Sequence, residues 1–392
     1  MSALCAAAMN PLYEKMTTSV FERMSGLAAQ HNAVNLGQGF PDFGWPPEIL
    51  DAAAKAVVGG SNQYAPSRGT IALREAVAAH YVRHFGQNFH AEHVCVTSGA
   101  TEALGSAILA AVEPGDEVII LTPAYDSYAP MIRRAGARPV EVALRPPQWQ
   151  IEREAIEQAV TANTRAILFN NPHNPAGRLF GPEELETIAS LAREHDLIVI
   201  ADEVWEHVVL GHRQFVPLAT LPGMEERTIK IGSAGKIFSL TGWKVGWMVA
   251  APSLAQVVAR AHQFLTFSTA PNLQAAVAFG LDEGDAWLQP MRDRFQRSRD
   301  LMADGLNATG YKTLDVAATY FMCVDLAASG ISLDDEGFAS LAVENAGVAV
   351  VPLSAFAEDV PVRHLVRVCF SKKDETIEAG VAAMAKAKAL LS

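Results

Sequence analysis

Lys236 lies in GSAGKIFSLTGWK, among small residues just after an apolar run. A lysine there can be a solvated surface side chain, which is the usual fate of lysine. It is not the phosphate lysine of a Walker loop, because Ile237 stands where Ser or Thr is needed and the upstream glycine spacing is wrong. The third reading is a lysine that forms a Schiff base, whose amine must be partly desolvated to be nucleophilic. Ser233, Ala234 and Gly235 are small enough to let a cofactor ring come close. Asp202 ends the apolar run DLIVIADEV. It is either a turn or helix-capping residue or a buried carboxylate that holds a cation, such as a pyridinium nitrogen. SGAT at 98–101 stands between a β-rich run and a helical one. Free N–H groups at a helix start bind phosphate, and Ser233 and Lys244 could add a hydroxyl and a positive charge. His80 and His84 are spaced i, i+4, with His90 and His93 nearby, but no HExxH occurs and no metal site is expected.

The elements that must position these residues alternate between helix and strand. Leu73, Ala76, Val77 and Tyr81 predict an amphipathic helix over 71–85. Strands are predicted at Val94–Thr97, Glu117–Leu121, Ala166–Phe169, Leu197–Ala201, Thr228–Gly232 and Val245–Ala250, with a helix opening at Pro182 and running to about His195. The pattern predicts an α/β fold with a mostly parallel sheet. SGAT, TPAYD, NNPHNPAG, Asp202 and SAGK each follow a strand, and the carboxyl ends of parallel strands form a ligand crevice. From about residue 290 a charged helical stretch precedes Thr319–Leu326, GVAVVPL and HLVRVCF, which read as strands of a smaller α+β unit. The boundary falls near 275–290. A large domain over 46–285 is expected, with 1–45 and 286–392 forming an N-terminal arm and small domain.

The 392 residues are 50% hydrophobic and 19% charged, ordinary for a globular protein with a sizeable core. A net charge of −12 argues against nucleic-acid and anionic-membrane partners, since both reward a basic surface. No apolar run is long enough to span a membrane, and MSALCAAAMN lacks the basic region of a signal peptide. Cys5, Cys95, Cys323 and Cys369 lie far apart with no CxxC and read as reduced thiols in a cytoplasmic protein.

NLGQGFPDF, NQYAPSRG, NNPHNPAG, ADEVW, GSAGKIFSLTGWKVGW and the arginine of HLVRVCF stand in one order along nearly the whole chain. In these motifs the chain resembles the class I/II pyridoxal-phosphate aminotransferases of fold type I. It is most similar to the branch that holds kynurenine/glutamine and bacterial methionine aminotransferases. The resemblance implies pyridoxal 5'-phosphate as cofactor and a homodimer. It implies that Lys236 forms the internal aldimine and that Asp202 pairs with the pyridine nitrogen. Asn174 would bond the ring hydroxyl and touch the substrate carboxylate. Tyr125 would stack on the ring, with Val204 against its other face. Ala100, Thr101, Ser233 and Lys244 would hold the phosphate, joined by Tyr64 from the neighbouring subunit. Arg367 would anchor the substrate carboxylate through its planar fork, with Gly39 adding a backbone contact. Transfer of the amino group of an L-amino acid to a 2-oxo acid would follow a ping-pong course, with Lys236 moving the α-proton.

The family usually has tyrosine where Trp205 stands, a phenol that donates to the cofactor's ring oxygen. Indole is a donor only, with a different reach. Two rival readings use the same scaffold: a cysteine-conjugate β-lyase, and a non-catalytic regulator with the cofactor fold. No second cation for a dicarboxylate donor is assignable. Phe267, Tyr125 and the Phe40 region suggest an apolar or aromatic pocket for a neutral amino acid: aromatic, methionine or glutamine.

Overall fold

The computed structural model describes residues 9–14, 16–283 and 285–391; Cys5 and the stretch before Met9 lie outside the described residues. Thirteen strands are described. In chain order they are β1 (Val34–Asn35), β2 (Val94–Thr97), β3 (Glu117–Thr122), β4 (Arg138–Ala143), β5 (Thr164–Asn170), β6 (Ile198–Asp202), β7 (Thr228–Ser233), β8 (Gly246–Val249), β9 (Lys312–Thr313), β10 (Phe321–Asp325), β11 (Val348–Ala349), β12 (Val351–Pro352) and β13 (Leu365–Cys369).

Seven of them form one sheet in the order β2-β8-β7-β6-β5-β3-β4. Only β8 runs against the others, so β2, β3, β5, β6 and β7 present their carboxyl ends at the same edge. β2, β3, β7 and β8 are buried at every residue, which is why they are mostly apolar or β-branched; the charged Glu117 of β3 and Lys230 of β7 are ion-paired. The fold is therefore α/β with a mostly parallel sheet, as expected. β4 is an element that the apolar pattern does not announce. It is an edge strand with Pro139 paired to Val118, and most of its residues are partly exposed. Proline is tolerated at such an edge because one side of the strand makes no ladder bonds.

Helices cover the sheet and begin where polar caps allow. Thr70 Oγ1 accepts from the Leu73 amide, opening Ile71–Phe85, and Gly86 closes that helix in the left-handed region at φ 65°. Pro182 occupies the first turn of Pro182–Glu194, where its missing N–H costs nothing. A second sheet runs β12-β13-β10-β9, antiparallel throughout. GVAVVPL is not one strand: β11 pairs in parallel with β1 from the N-terminal segment, whereas β12 joins β13. Cys95, Cys323 and Cys369 are buried and unpaired. Among the described residues no helix is long and apolar enough to cross a membrane.

Candidate active site

A cavity of about 330 Å³ opens at the carboxyl edge of the large sheet and reaches β13 of the small one. Asp202 ends β6 directly beside Asn170 of β5. Its Oδ2 accepts from the Tyr128 hydroxyl at 2.5 Å and its Oδ1 from the Val204 amide at 3.4 Å. Burial pushes the Asp202 carboxyl up, and the Tyr128 bond pulls it back. Asn170 Oδ1 accepts from the Asn174 amide at 2.8 Å and so sets the NNPHNPAG loop against the strand end.

Arg367 is buried on β13, opposite Cys323 and Val351. Its Nη1 donates to Asn174 Oδ1 at 3.0 Å and its Nη2 to the Gly37 carbonyl at 3.1 Å, while Nε has no partner. The guanidinium lies 3.8 Å from the centre of the Phe321 ring, with Phe21 and Phe356 at 5.0 and 5.1 Å. Burial brings its pKa down to about 10.

Lys236 follows the end of β7, half-buried at the cavity wall. Its Nζ donates to the Tyr320 hydroxyl at 3.1 Å and sits 4.5 Å from the centre of the Trp205 ring. Burial, with Arg367 and Lys244 adding to it, lowers the amine to about 8. Tyr320 donates in turn to the Gly39 carbonyl at 2.6 Å. Trp205 is buried on the wall and meets Tyr320 edge-on at 4.5 Å.

At the opposite end Gly99, Ala100 and Thr101 begin the helix Gly99–Ala111 after β2. Glu102 accepts from the Ser98 amide at 2.6 Å, and the first turn's other amides lack intrahelical acceptors by geometry. β8 passes tightly beneath: a Cβ on Gly246 would lie 2.7 Å from the Ala100 nitrogen. Lys244 extends beside Gly99, and Ser233 lines the same end.

The chain matches the model of aminotransferase class I and II over residues 31–384. The chain belongs to that family. This aminotransferase is 43% identical over 376 residues to the probable N-succinyldiaminopimelate aminotransferase DapC of Mycobacterium tuberculosis, covering 93% of this chain and 94% of the relative. The solved structure of the N-succinyldiaminopimelate aminotransferase from that organism superposes with a TM-score of 0.94, over 97% of this chain and 100% of the other. The methionine aminotransferase of Escherichia coli is 37% identical, with 93% and 94% covered. Human kynurenine–oxoglutarate transaminase 1 is 36% identical, with 90% and 92% covered. The aminotransferase is accordingly a transaminase of fold type I that depends on pyridoxal phosphate.

Its cavity fits that cofactor. A buried carboxylate, a half-buried lysine, a helix start under a glycine cradle and an arginine with an unpartnered Nε converge on one space. Gly39, Ala100, Thr101, Tyr125, Asn174, Asp202, Val204, Trp205, Ser233, Lys236, Lys244 and Arg367 all line it. Tyr64 does not: it is 85% exposed and packs edge-on against Phe267 at 5.5 Å. The expectation that Phe267 and Phe40 wall the pocket is not met within one chain, since both are exposed and outside the cavity. The aromatic part of the wall is Phe21, Tyr125, Trp205 and Phe321. Tyr128, Tyr320, Phe21 and Asn170 escaped the sequence reading; TPAYDSY contains Tyr128, but nothing local marks it as the partner of Asp202. His80 and His84 are drawn apart from the site: His80 Nε2 meets His207 Nε2 at 2.8 Å, and His84 pairs with Asp285.

Proposed function

We propose that this transaminase takes a neutral L-amino acid, aromatic, methionine or glutamine, as donor to a 2-oxo acid. The observation that carries this reading is the makeup of the cavity wall. Phe21, Tyr125, Trp205 and Phe321 line it near Arg367, with neutral polar groups such as Gln38 and Asn174, and among the described residues its other cations are Lys236 and Lys244, at the lysine and phosphate positions. Among the described residues, a distal carboxylate on the donor would find no cation there left over by the anchor, lysine and phosphate roles. A second reading, N-succinyldiaminopimelate as donor, is favoured by the 43% identity to the Mycobacterium tuberculosis relative. Initial rates with phenylalanine, kynurenine, methionine, glutamine, aspartate and N-succinyldiaminopimelate against several 2-oxo acids separate the two. Aspartate outrunning the neutral donors refutes the first.

In this reading Arg367 grips the donor carboxylate with its two-pronged fork, and Asn174 holds the fork in plane. Bound pyridoxal phosphate supplies the electron sink for the carbanion. Asp202, braced by Tyr128, would hold the pyridine nitrogen in its charged form. The amides of Gly99–Thr101, with Ser233 and Lys244, would take the phosphate. Tyr125 and Val204, both on the cavity wall, would confine the ring between them. Lys236, whose amine is lowered to about 8 by burial, would take the α-proton of the donor and give it back as a general acid. Lys236→Ala is expected to lose both the bound cofactor's visible absorbance and turnover; retained turnover removes it from the mechanism. We also read the protein as a homodimer, because Tyr64, Phe264 and Phe267 leave apolar surface exposed around the position matched to a cross-subunit phosphate ligand.

A further inference from the structure

We propose that Tyr320 is a positioning residue for Lys236: its hydroxyl holds the lysine amine whenever that amine is free, and ties it to the Gly37–Gly39 segment beside Arg367. The proposal rests on the reading that Lys236 carries the cofactor.

The direction of each bond follows from chemistry. The Gly39 carbonyl can only accept, so the Tyr320 proton is committed to it at 2.6 Å. The hydroxyl's lone pairs are then left for Lys236 Nζ at 3.1 Å, which must donate. Tyr320 has no freedom to turn away. It is 1% exposed and enclosed by Trp205, Phe295 and Phe321 at ring separations of 4.5, 5.7 and 5.0 Å. Burial pushes its phenol well above the usual range, so it remains a phenol and does not itself act as a base. The Trp205 face, 4.5 Å from Nζ, attracts a cation but specifies no direction. The hydroxyl is thus the directional partner. A free lysine side chain carries about 2 kcal/mol of rotamer entropy, and proton transfer at carbon needs the amine held near one geometry. The same hydroxyl links to Gly39, two residues from the Gly37 carbonyl that accepts from Arg367. The lysine and the carboxylate anchor are therefore referenced to one short backbone segment.

An acceptor for N–H favours the charged amine, so losing it lowers the proton affinity of Lys236. Tyr320→Phe keeps the ring and its packing and removes only the hydroxyl. Asp202, Lys244, Arg367 and Cys369, the other titratable groups acting on the amine, are unchanged. The test labels the full-length cofactor-free chain with trinitrobenzenesulfonate across a pH series and quantifies the Lys236 peptide by mass spectrometry. The midpoint is expected to fall by about half a unit or more in Tyr320→Phe. In the loaded enzyme kcat is expected to fall about tenfold, with the donor KM changed less than about threefold. An unchanged or raised midpoint overturns the proposal, and so does a lowered midpoint with unchanged kcat. If Tyr320→Phe does not fold, 3,5-difluorotyrosine placed at 320 keeps the shape and weakens the acceptor. The midpoint must still fall, and constancy overturns the proposal. Borohydride reduction of the wild-type holoenzyme with peptide mapping separates the two layers. Cofactor on another lysine refutes the reading of Lys236 itself, whatever Tyr320 does.

Discussion

Truncating Arg367 to alanine removes a fork whose two terminal nitrogens are already aligned. Nη1 is fixed by Asn174 at 3.0 Å and Nη2 by Gly37 at 3.1 Å, and the guanidinium carbon lies 3.8 Å from the centre of the Phe321 ring. Hydrogen bonds to charged groups contribute about 1.5–3 kcal/mol each, so a two-bond carboxylate grip is worth about 3–6 kcal/mol. Since about 1.4 kcal/mol is tenfold, kcat/KM for amino-acid donors is expected to drop by roughly 10²–10⁴. Both KM and kcat change, because the carboxylate also orients the α-proton toward Lys236. Arg367→Lys keeps the charge but not the fork and recovers only part of the loss. The assay is the donor half-reaction, followed by the bound cofactor's absorbance in single turnover. An arylalkylamine without a carboxylate serves as control and should react with variant and parent at similar rates, which separates lost anchoring from lost structure. A kcat/KM for amino acids within about threefold of the parent places the anchor elsewhere.

Trp205→Tyr offers a phenol where the family usually has one. It is expected to lower the pH midpoint of the bound cofactor's absorbance by about one unit, and an unchanged or higher midpoint refutes it. Lys230→Met leaves Glu203 and Glu206 buried without their shared cation; denaturant unfolding should register a loss of about 3–5 kcal/mol, and a change below about 1 kcal/mol refutes the assignment. His262 is buried, which alone would lower its pKa, but Glu102 at 2.6 Å outweighs burial and raises it. A raised folded pKa means that this contribution is full below the ordinary histidine range and fades as pH rises through the folded value. His262→Gln should therefore flatten the decline of stability in that window, and an unchanged pH profile shows the pair to be idle.

What the sequence reveals depends on whether the cause is local. β2, β3, β6 and β7 are legible because each is a short β-rich run closed by Gly, Pro, Asp or Ser. β4 is not, because an edge strand with one proline and partly exposed residues has no continuous apolar signature. Lys236, Asp202 and Arg367 are legible as unusual residues within recognisable motifs. Tyr128 and Tyr320 are not, because what makes them matter lies 74 and 84 residues away in the chain. The division of GVAVVPL between two sheets is invisible for the same reason: its partners are β1 near one terminus and β13 near the other.

Two of the cavity's cations lie against aromatic faces. Arg367 lies among Phe21, Phe321 and Phe356, and Lys236 over Trp205 and Tyr320. Asp202 is the only carboxylate on the wall among the described residues, and it is engaged by Tyr128. A carboxylate placed beside Arg367 on the wall would compete with the donor's own carboxylate for the same fork. An aromatic face gives up to about 2 kcal/mol when desolvated without neutralising the charge or occupying an N–H. Arg367 therefore remains available for an incoming anion while still being held. Indole is the strongest such face among the aromatic side chains. On the proposed reading, Trp205 would exchange a directional donor for a firmer, less directional hold on Lys236. The hydroxyl of Tyr320, whose ring meets that indole edge-on, then supplies the direction that the indole cannot.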